Sequence, residues 1–147
     1  MDRRPLSAWV SALLPPLLYC GLIFLLSALE SPDLPGPDLP FRDKLLHVLL
    51  YAPLAALFNR MLHAFEWPRT SMARIWISIL MTGLYGVGDE IHQAFVPGRT
   101  PSPADVVADF TGALLGAWAY EALRKNARPA VLAIPGLTKW RYFFKNR

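Results

Sequence analysis

Residues 5–29 contain no Asp, Glu, Lys, Arg or His. A helix needs about 20 apolar residues to cross the ~30 Å hydrocarbon core of a bilayer, so this run is long enough. Inside lipid, every backbone N–H and C=O must be satisfied within the protein, which leaves helices or closed barrels. An uncharged stretch of this length reads as a helix, expected over 8–29. Pro15 and Pro16 should kink it or mark its true start, because proline removes a donor and crowds the preceding turn. A cleaved leader is the rival reading. Its apolar region is normally shorter, and Ser27-Ala28-Leu29 is a poor small-x-small site, so a retained helix is expected.

The rest of the chain has the same bias. Hydrophobic residues make up 54% and charged residues 18%, with a mean hydropathy of +0.29. Soluble domains run nearer about 45–50% and ~25%, so this chain is short of the polar surface a soluble fold requires. Further helices are expected over 43–65, 75–95 and 103–123. Pro32, Pro35, Pro37 and Pro40 mark 30–40 as an extended loop. Residues 66–74 form a short polar link, with Trp67 and Trp76 suited to the membrane interface. Pro97, Gly98, Pro101 and Pro103 force a turn between the last two helices. The expectation is one all-α domain spanning 1–147: an integral-membrane four-helix bundle with a basic tail over 124–147. No internal repeat stands out.

The charge distribution orients this bundle. Fifteen Lys and Arg give a net charge of +4 and, with the acids, a pI near 9.5. They do not share one basic, aromatic-interleaved face, so no nucleic-acid partner is expected. With four passes, Arg3, Arg4, Arg60, Arg69, Arg74 and every basic residue after Tyr120 fall on one side, and only Arg42, Lys44 and Arg99 on the other. By the positive-inside rule both termini are cytoplasmic. The localisation this implies is a membrane bordering the cytoplasm, crossed several times. Cys20 lies in an apolar run and reads as a small hydrophobe.

That topology gathers chemistry at the outer face. Helix 2 brings Asp43, Lys44, His47 and Tyr51, while helices 3 and 4 and their turn bring Asp89, Glu90, His92, Gln93, Arg99, Asp105 and Asp109. Ionisable groups at a membrane boundary are costly and usually mark function. Asp43 and His47 have i,i+4 spacing, so the carboxylate could orient the imidazole. Glu90 with Gln93, or Asp89 with His92 and Gln93, should share a helical face, and Arg99 could clamp an anion in bidentate fashion. Asp109 could be protonated, paired with Arg99 or Lys44, or hydrogen-bonded, according to its partners. Asp105, Asp109, Gly112 and Gly116 form one inward stripe, and Gly83, Gly86 and Gly88 should permit close helix approach. Each residue also has a structural reading: Asp43 and Asp105 as helix-start acids, Tyr51 as packing, Arg42 as a snorkelling cation, Arg99 as a salt-bridge partner of Asp105. No His-Glu-x-x-His or Cys-x-x-Cys is present, so no metal is expected. With no phosphate loop or dinucleotide fingerprint, no cofactor is expected either.

Asp43-Lys44-x-x-His47-x-x-x-Tyr51, then Glu90-Ile91-His92-Gln93-x-Phe95-Val96-Pro97-Gly98-Arg99, then Asp105 with Gly112 and Gly116, resemble the VanZ-like family over roughly 41–120. The resemblance implies a small bacterial multi-pass membrane protein of the cell envelope. The family takes its name from a member linked to resistance to the glycopeptide teicoplanin. Carried over by matching position, it implicates Asp43, Lys44, His47, Tyr51, Glu90, Gln93, Arg99 and Asp105. The family commonly has asparagine where this chain has Asp109. Two functional readings follow. One is binding of a membrane lipid, a lipid-linked envelope precursor or a lipoglycopeptide, with Lys44 and Arg99 on its anionic part. The other is an intramembrane acid–base enzyme, with His47 or Glu90 as general base and Asp43 supporting His47. A proton-coupled transporter is the weakest reading, because the polar groups cluster at one end only.

Overall fold

The computed structural model describes residues 5–29 and 41–132, with side chains to 126. It contains four helices: α1 (Leu6–Ser27), α2 (Arg42–Ala64), α3 (Ser71–Gln93) and α4 (Pro103–Leu132), with no strand among the described residues. The all-α, four-helix architecture is therefore as expected. Arg3, Arg4, the 30–40 loop and the tail beyond Leu132 lie outside the described residues.

Two boundaries differ from expectation. α3 starts at Ser71 rather than near 75, because Thr70 caps it and its Oγ1 accepts the Ala73 N–H at 3.3 Å. Arg74 therefore belongs to a helix and not to the loop. α4 continues past 123 to Leu132. Arg124 and Lys125 lie three and four residues after Glu121 and pair back to it at 2.8 and 4.0 Å. Such i,i+3 and i,i+4 pairs support a helix that apolarity alone would have ended.

α2 packs most extensively with α4, then with α3, while α1 is peripheral. The α2–α4 bonds His47–Asp109, Asn59–Ala117 and His63–Glu121 descend together, so these helices run parallel. α3 runs between them in the opposite direction, with Asp89 near Tyr51 and Arg74 near His63. One end of the bundle, called upper here, gathers the C-termini of α1 and α3 and the N-termini of α2 and α4.

Small residues set the spacing. A Cβ at Gly112 would lie 2.5 Å from the Val48 carbonyl oxygen, and one at Gly116 would overlap the carbonyl of Ala52. The backbones of α2 and α4 thus touch, as small-residue seams allow. Gly86 makes room for the Asp109 carboxylate and Gly83 for the Phe110 ring, whereas Gly88 faces open space and packs against nothing, contrary to expectation.

The bulky core lies to one side. Ile23 of α1 joins Tyr51, Leu54, Phe58, Met61 and Leu62 of α2, with Ile77, Met81 and Tyr85 of α3 against them. Side chains bond to α1 carbonyls. Arg60 Nη1 donates to Ser11 O at 3.2 Å, which is the carbonyl Pro15 leaves without its helical amide. Tyr85 Oη donates to Cys20 O at 2.6 Å. By length and composition, α1 and α2 suffice to cross a membrane. Exposed large hydrophobes cover all four helices, among them Leu18, Leu49, Leu84 and Leu115.

Candidate functional site

α4 brings Asp109 into the upper half of the bundle, where it is fully buried. Its Oδ1 meets His47 Nδ1 of α2 at 2.8 Å, and its Oδ2 has no hydrogen-bond partner. Burial of a carboxylate is tolerated when opposite charge and hydrogen bonds compensate it. One oxygen here has that support and the other does not.

The neighbouring groups repeat this half-satisfaction. Tyr51 Oη donates to Asp89 Oδ2 at 3.0 Å, and Gln93 Nε2 donates to the same oxygen at 3.0 Å from one turn further along α3. Asp89 Oδ1 is buried and unpartnered. Glu90 Oε1 accepts the Ser102 backbone N–H, which ties the turn down onto α3, while its Oε2 is also buried and unpartnered. Ser102 Oγ in turn accepts the Ala104 N–H at 3.2 Å at the start of α4. The His47 and Tyr51 rings lie nearly parallel, with centroids 6.0 Å apart. At the rim, Lys44 Nζ sits between Asp43 Oδ2 at 2.5 Å and Asp105 Oδ1 at 2.7 Å.

The site therefore converges, but three expected pairings change. Asp43 does not orient His47: its side chain is 62% exposed and turns to Lys44, leaving Asp109 as the imidazole's partner. A residue at i,i+4 is only a candidate neighbour, and burial favours the carboxylate that comes from across the bundle. Arg99 pairs with neither Asp105 nor Asp109. Its Nε and Nη2 donate to the Leu29 and Leu26 carbonyls at 3.1 and 3.2 Å, closing the C-terminal end of α1. Cations at helix C-termini are favoured by the exposed carbonyls. His92 leaves the Asp89–Gln93 face and stacks on Phe24 of α1, centroids 4.5 Å apart. That leaves Asp89, Glu90, Asp105 and Asp109 grouped beside Lys44 and His47, an acid-rich site in which Asp89, Glu90 and Asp109 each keep a carboxylate oxygen without a hydrogen-bond partner. Among the described residues, no three His, Cys, Asp or Glu groups converge as metal ligands would.

A second buried cluster occupies the lower end, where the sequence predicts topology-setting cations and puts Asn59, Arg60 and His63 at the membrane interface. Glu121 is 1% exposed, and it accepts His63 Nε2 on Oε2 at 2.8 Å and Arg124 Nη2 on Oε1 at 2.8 Å. Arg74 Nη1 lies 2.9 Å from His63 Nδ1. Since guanidinium only donates, Nδ1 must accept, and the proton of His63 sits on Nε2 facing Glu121. One turn above, Asn59 Nδ2 donates to Ala117 O at 3.1 Å. The signal for this cluster was present in the spacing: 47, 51, 55, 59 and 63 recur every four residues along α2, as do 105, 109, 113, 117 and 121 along α4.

No significant match was found among curated proteins or among solved structures. The sequence profile described as VanZ/LLP1 does match, over residues 13–124. That span takes in all of α2 and α3 and most of α1 and α4, and with them both polar clusters. The match and the motif residues gathered at the upper end agree: the chain belongs to the VanZ/LLP1 family.

Proposed function

We propose that this chain is a four-pass membrane protein of the bacterial inner membrane, with both termini cytoplasmic. Its upper, acid-rich cluster then lies at the outer face and binds the headgroup of a membrane lipid or lipid-linked envelope precursor. Family membership supports a membrane-associated protein related to the envelope and to glycopeptide resistance. The apolar exteriors of all four helices and the sidedness of the cations support the topology. One observation carries the binding reading: Asp89 Oδ1, Glu90 Oε2 and Asp109 Oδ2 are buried acceptors without donors, grouped around His47. Leaving a buried polar group unsatisfied costs about 1–3 kcal/mol, which a donor-bearing ligand recovers.

The same geometry revises the ligand's chemistry. Lys44 is held by two carboxylates and Arg99 by the carbonyls of α1, so neither serves as the anion clamp expected from sequence. Hydroxyl or ammonium groups suit the site better than a bare phosphate. The test is photocrosslinking in vesicles containing diazirine-bearing lipids with ethanolamine, glycerol or choline headgroups. Labelling near Glu90 and Asp109 should favour the first two, which can donate hydrogen bonds. Labelling indifferent to headgroup rejects the proposal.

A second reading rests on the His47–Asp109 pair. A carboxylate bonded to one imidazole nitrogen leaves the other to act as general base, so an intramembrane acid–base enzyme acting on a lipid-linked substrate fits the same residues, with Asp109 taking the role expected of Asp43. His47→Ala and Glu90→Gln should then both abolish a teicoplanin-resistance phenotype at unchanged expression. A phenotype retained in both variants removes the enzyme.

A further inference from the structure

One face of α2 is left uncovered by the bundle. At 3.6 residues per turn, Leu45, Ala56, Leu49, Arg60 and Pro53 fall within about 80° of arc. Leu45 and Leu49 are 54% and 59% exposed, and Pro53 and Arg60 are exposed as well. On one side of this lane Val48, Ala52 and His63 face α4. On the other, Leu54 and Met61 pack with Ile23 of α1. The α1 and α4 backbones make no contact with each other along the described residues. The lane is therefore the floor of a groove with α1 and α4 as its walls, and it is apolar until it reaches Arg60.

The foot of the groove changes character. Arg60 Nη1 donates to Ser11 O of α1 at 3.2 Å. A guanidinium has five donors, and that bond uses one. Tyr120 of α4 stands beside it, its ring centroid 5.8 Å from that of His63, with Arg60 and Arg124 both within electrostatic reach of its hydroxyl. Arg124 holds Glu121 through Nε and Nη2, so Nη1 is not part of that pair. Two guanidinium groups and a phenol, from two helices, thus gather at one level. Trp9 of α1, 44% exposed with its ring 4.9 Å from Phe65, suits a membrane interface at this depth. Among the described residues the lower end carries Arg60, Arg69, Arg74, Arg124 and Lys125 against Glu66 and Glu121, so its excess charge is positive. Snorkelling explains an isolated arginine at an interface. It does not explain a second guanidinium and a phenol gathered with it below an apolar lane.

We propose that this groove holds an anionic phospholipid from the leaflet at the lower end. Its phosphate sits on Arg60, Tyr120 and Arg124, whose N–H and O–H groups donate to the phosphate oxygens, and one acyl chain lies along Ala56, Pro53 and Leu49. The lengths agree. Arg60 to Leu49 is about 16 Å at 1.5 Å per residue, and one leaflet's half of a ~30 Å core is about 15 Å. The site is separate from the acid-rich upper cluster and takes the opposite chemistry, an anion in place of a hydrogen-bond donor. Seated there, the lipid bridges α1 to α4, which do not otherwise meet.

This inference rests on the membrane reading above, and the experiment separates the two. Incorporation of the full chain into vesicles is scored by flotation and resistance to carbonate extraction, and protein that fails to incorporate overturns both readings. Lipid retention is read by native mass spectrometry of the full chain in neutral detergent, with phosphatidylglycerol, phosphatidylcholine or diacylglycerol of matched chains. One phosphatidylglycerol should be retained in preference to phosphatidylcholine, whose ammonium meets the same cations, and diacylglycerol should not be retained. Arg60→Gln, which keeps a donor for Ser11 O, should weaken retention about tenfold, as loss of a charge-assisted contact does. Tyr120→Phe should weaken it less. Arg69→Gln, the same charge change in the turn before α3, should leave it within about twofold. Each variant's unfolding in detergent shows that it is folded, and if Arg60→Gln is not, Tyr120→Phe carries the test. Equal retention of the three lipids, displacement of the lipid by millimolar inorganic phosphate, or a folded Arg60→Gln or Tyr120→Phe that retains lipid as the wild type does overturns this proposal alone.

Discussion

The two ends of the bundle use the same parts to opposite effect. At the lower end one buried carboxylate, Glu121, accepts from His63 and Arg124 on its two oxygens, and Arg74 donates to the other nitrogen of His63. At the upper end four carboxylates face Lys44 and His47, and Asp89, Glu90 and Asp109 each keep one oxygen unpartnered. A cluster whose one carboxylate has both oxygens bonded and cations beside it fastens helices together. An open cluster keeps acceptors that the described side chains leave without donors. Burial is similar at both ends, so the contrast lies in satisfaction and charge balance.

The contrast is broken most severely by removing Glu121. Glu121→Ala would leave His63 Nε2 without its acceptor and Arg124 without its counter-charge. Breaking a buried pair by removing one partner costs about 3–5 kcal/mol. Unfolding in a mixed-detergent titration should show that loss, and a change below 1 kcal/mol would mean that the lower cluster does not fasten the bundle. Next comes Tyr51→Phe, which deletes the hydroxyl donor to Asp89. Gln93 remains on the same oxygen, so a loss of about 1–1.5 kcal/mol is expected in the same titration.

Arg99→Ala tests the rim. It frees the Leu26 and Leu29 carbonyls, and about 1 kcal/mol is expected, in line with an ordinary cap. The readout is faster proteolysis at the end of α1, with the midpoint of global unfolding nearly unmoved. The smallest stability effect should come from Asp109→Asn, which keeps a bond to His47 and restores the residue common in the family. Less than about 1 kcal/mol is expected, since removal of an uncompensated buried charge offsets the weaker bond. Headgroup-dependent crosslinking should fall all the same. If stability drops sharply and crosslinking persists, the upper cluster is structural and the contrast between the ends fails.

Much of this was legible in the chain. The uncharged 5–29 run, the proline-rich links and the stripe through Asp105, Asp109, Gly112 and Gly116 gave four helices and put the motif residues at one end. The misreadings share a cause. Spacing along one helix nominated Asp43 for His47 and His92 for Asp89, but partners across helices decided both, because only Asp109 brings a buried carboxylate to that imidazole. Arg74 and His63 looked like interface residues because charge and sequence position say nothing about inward rotation. The four-residue recurrence down α2 and α4 would have revealed it. Arg99 could not be placed at all, since its partners are backbone carbonyls and any sequence supplies those.

The glycine seam sets which parts of the molecule can move. With Gly112 and Gly116 against the backbone at Val48 and Ala52, α2 and α4 touch there with no side-chain layer between them, and dense packing resists sliding. The pair acts as a single rigid spar carrying His47, Asn59 and His63 on one member and Asp109 and Glu121 on the other. Any rearrangement that opens or closes the upper cluster must therefore be a motion of α3, with its Asp89, Glu90 and Gln93, or of the loosely attached α1. Distance labels placed across α2 and α4 should stay constant on loading, while labels from either of these to α3 should report it.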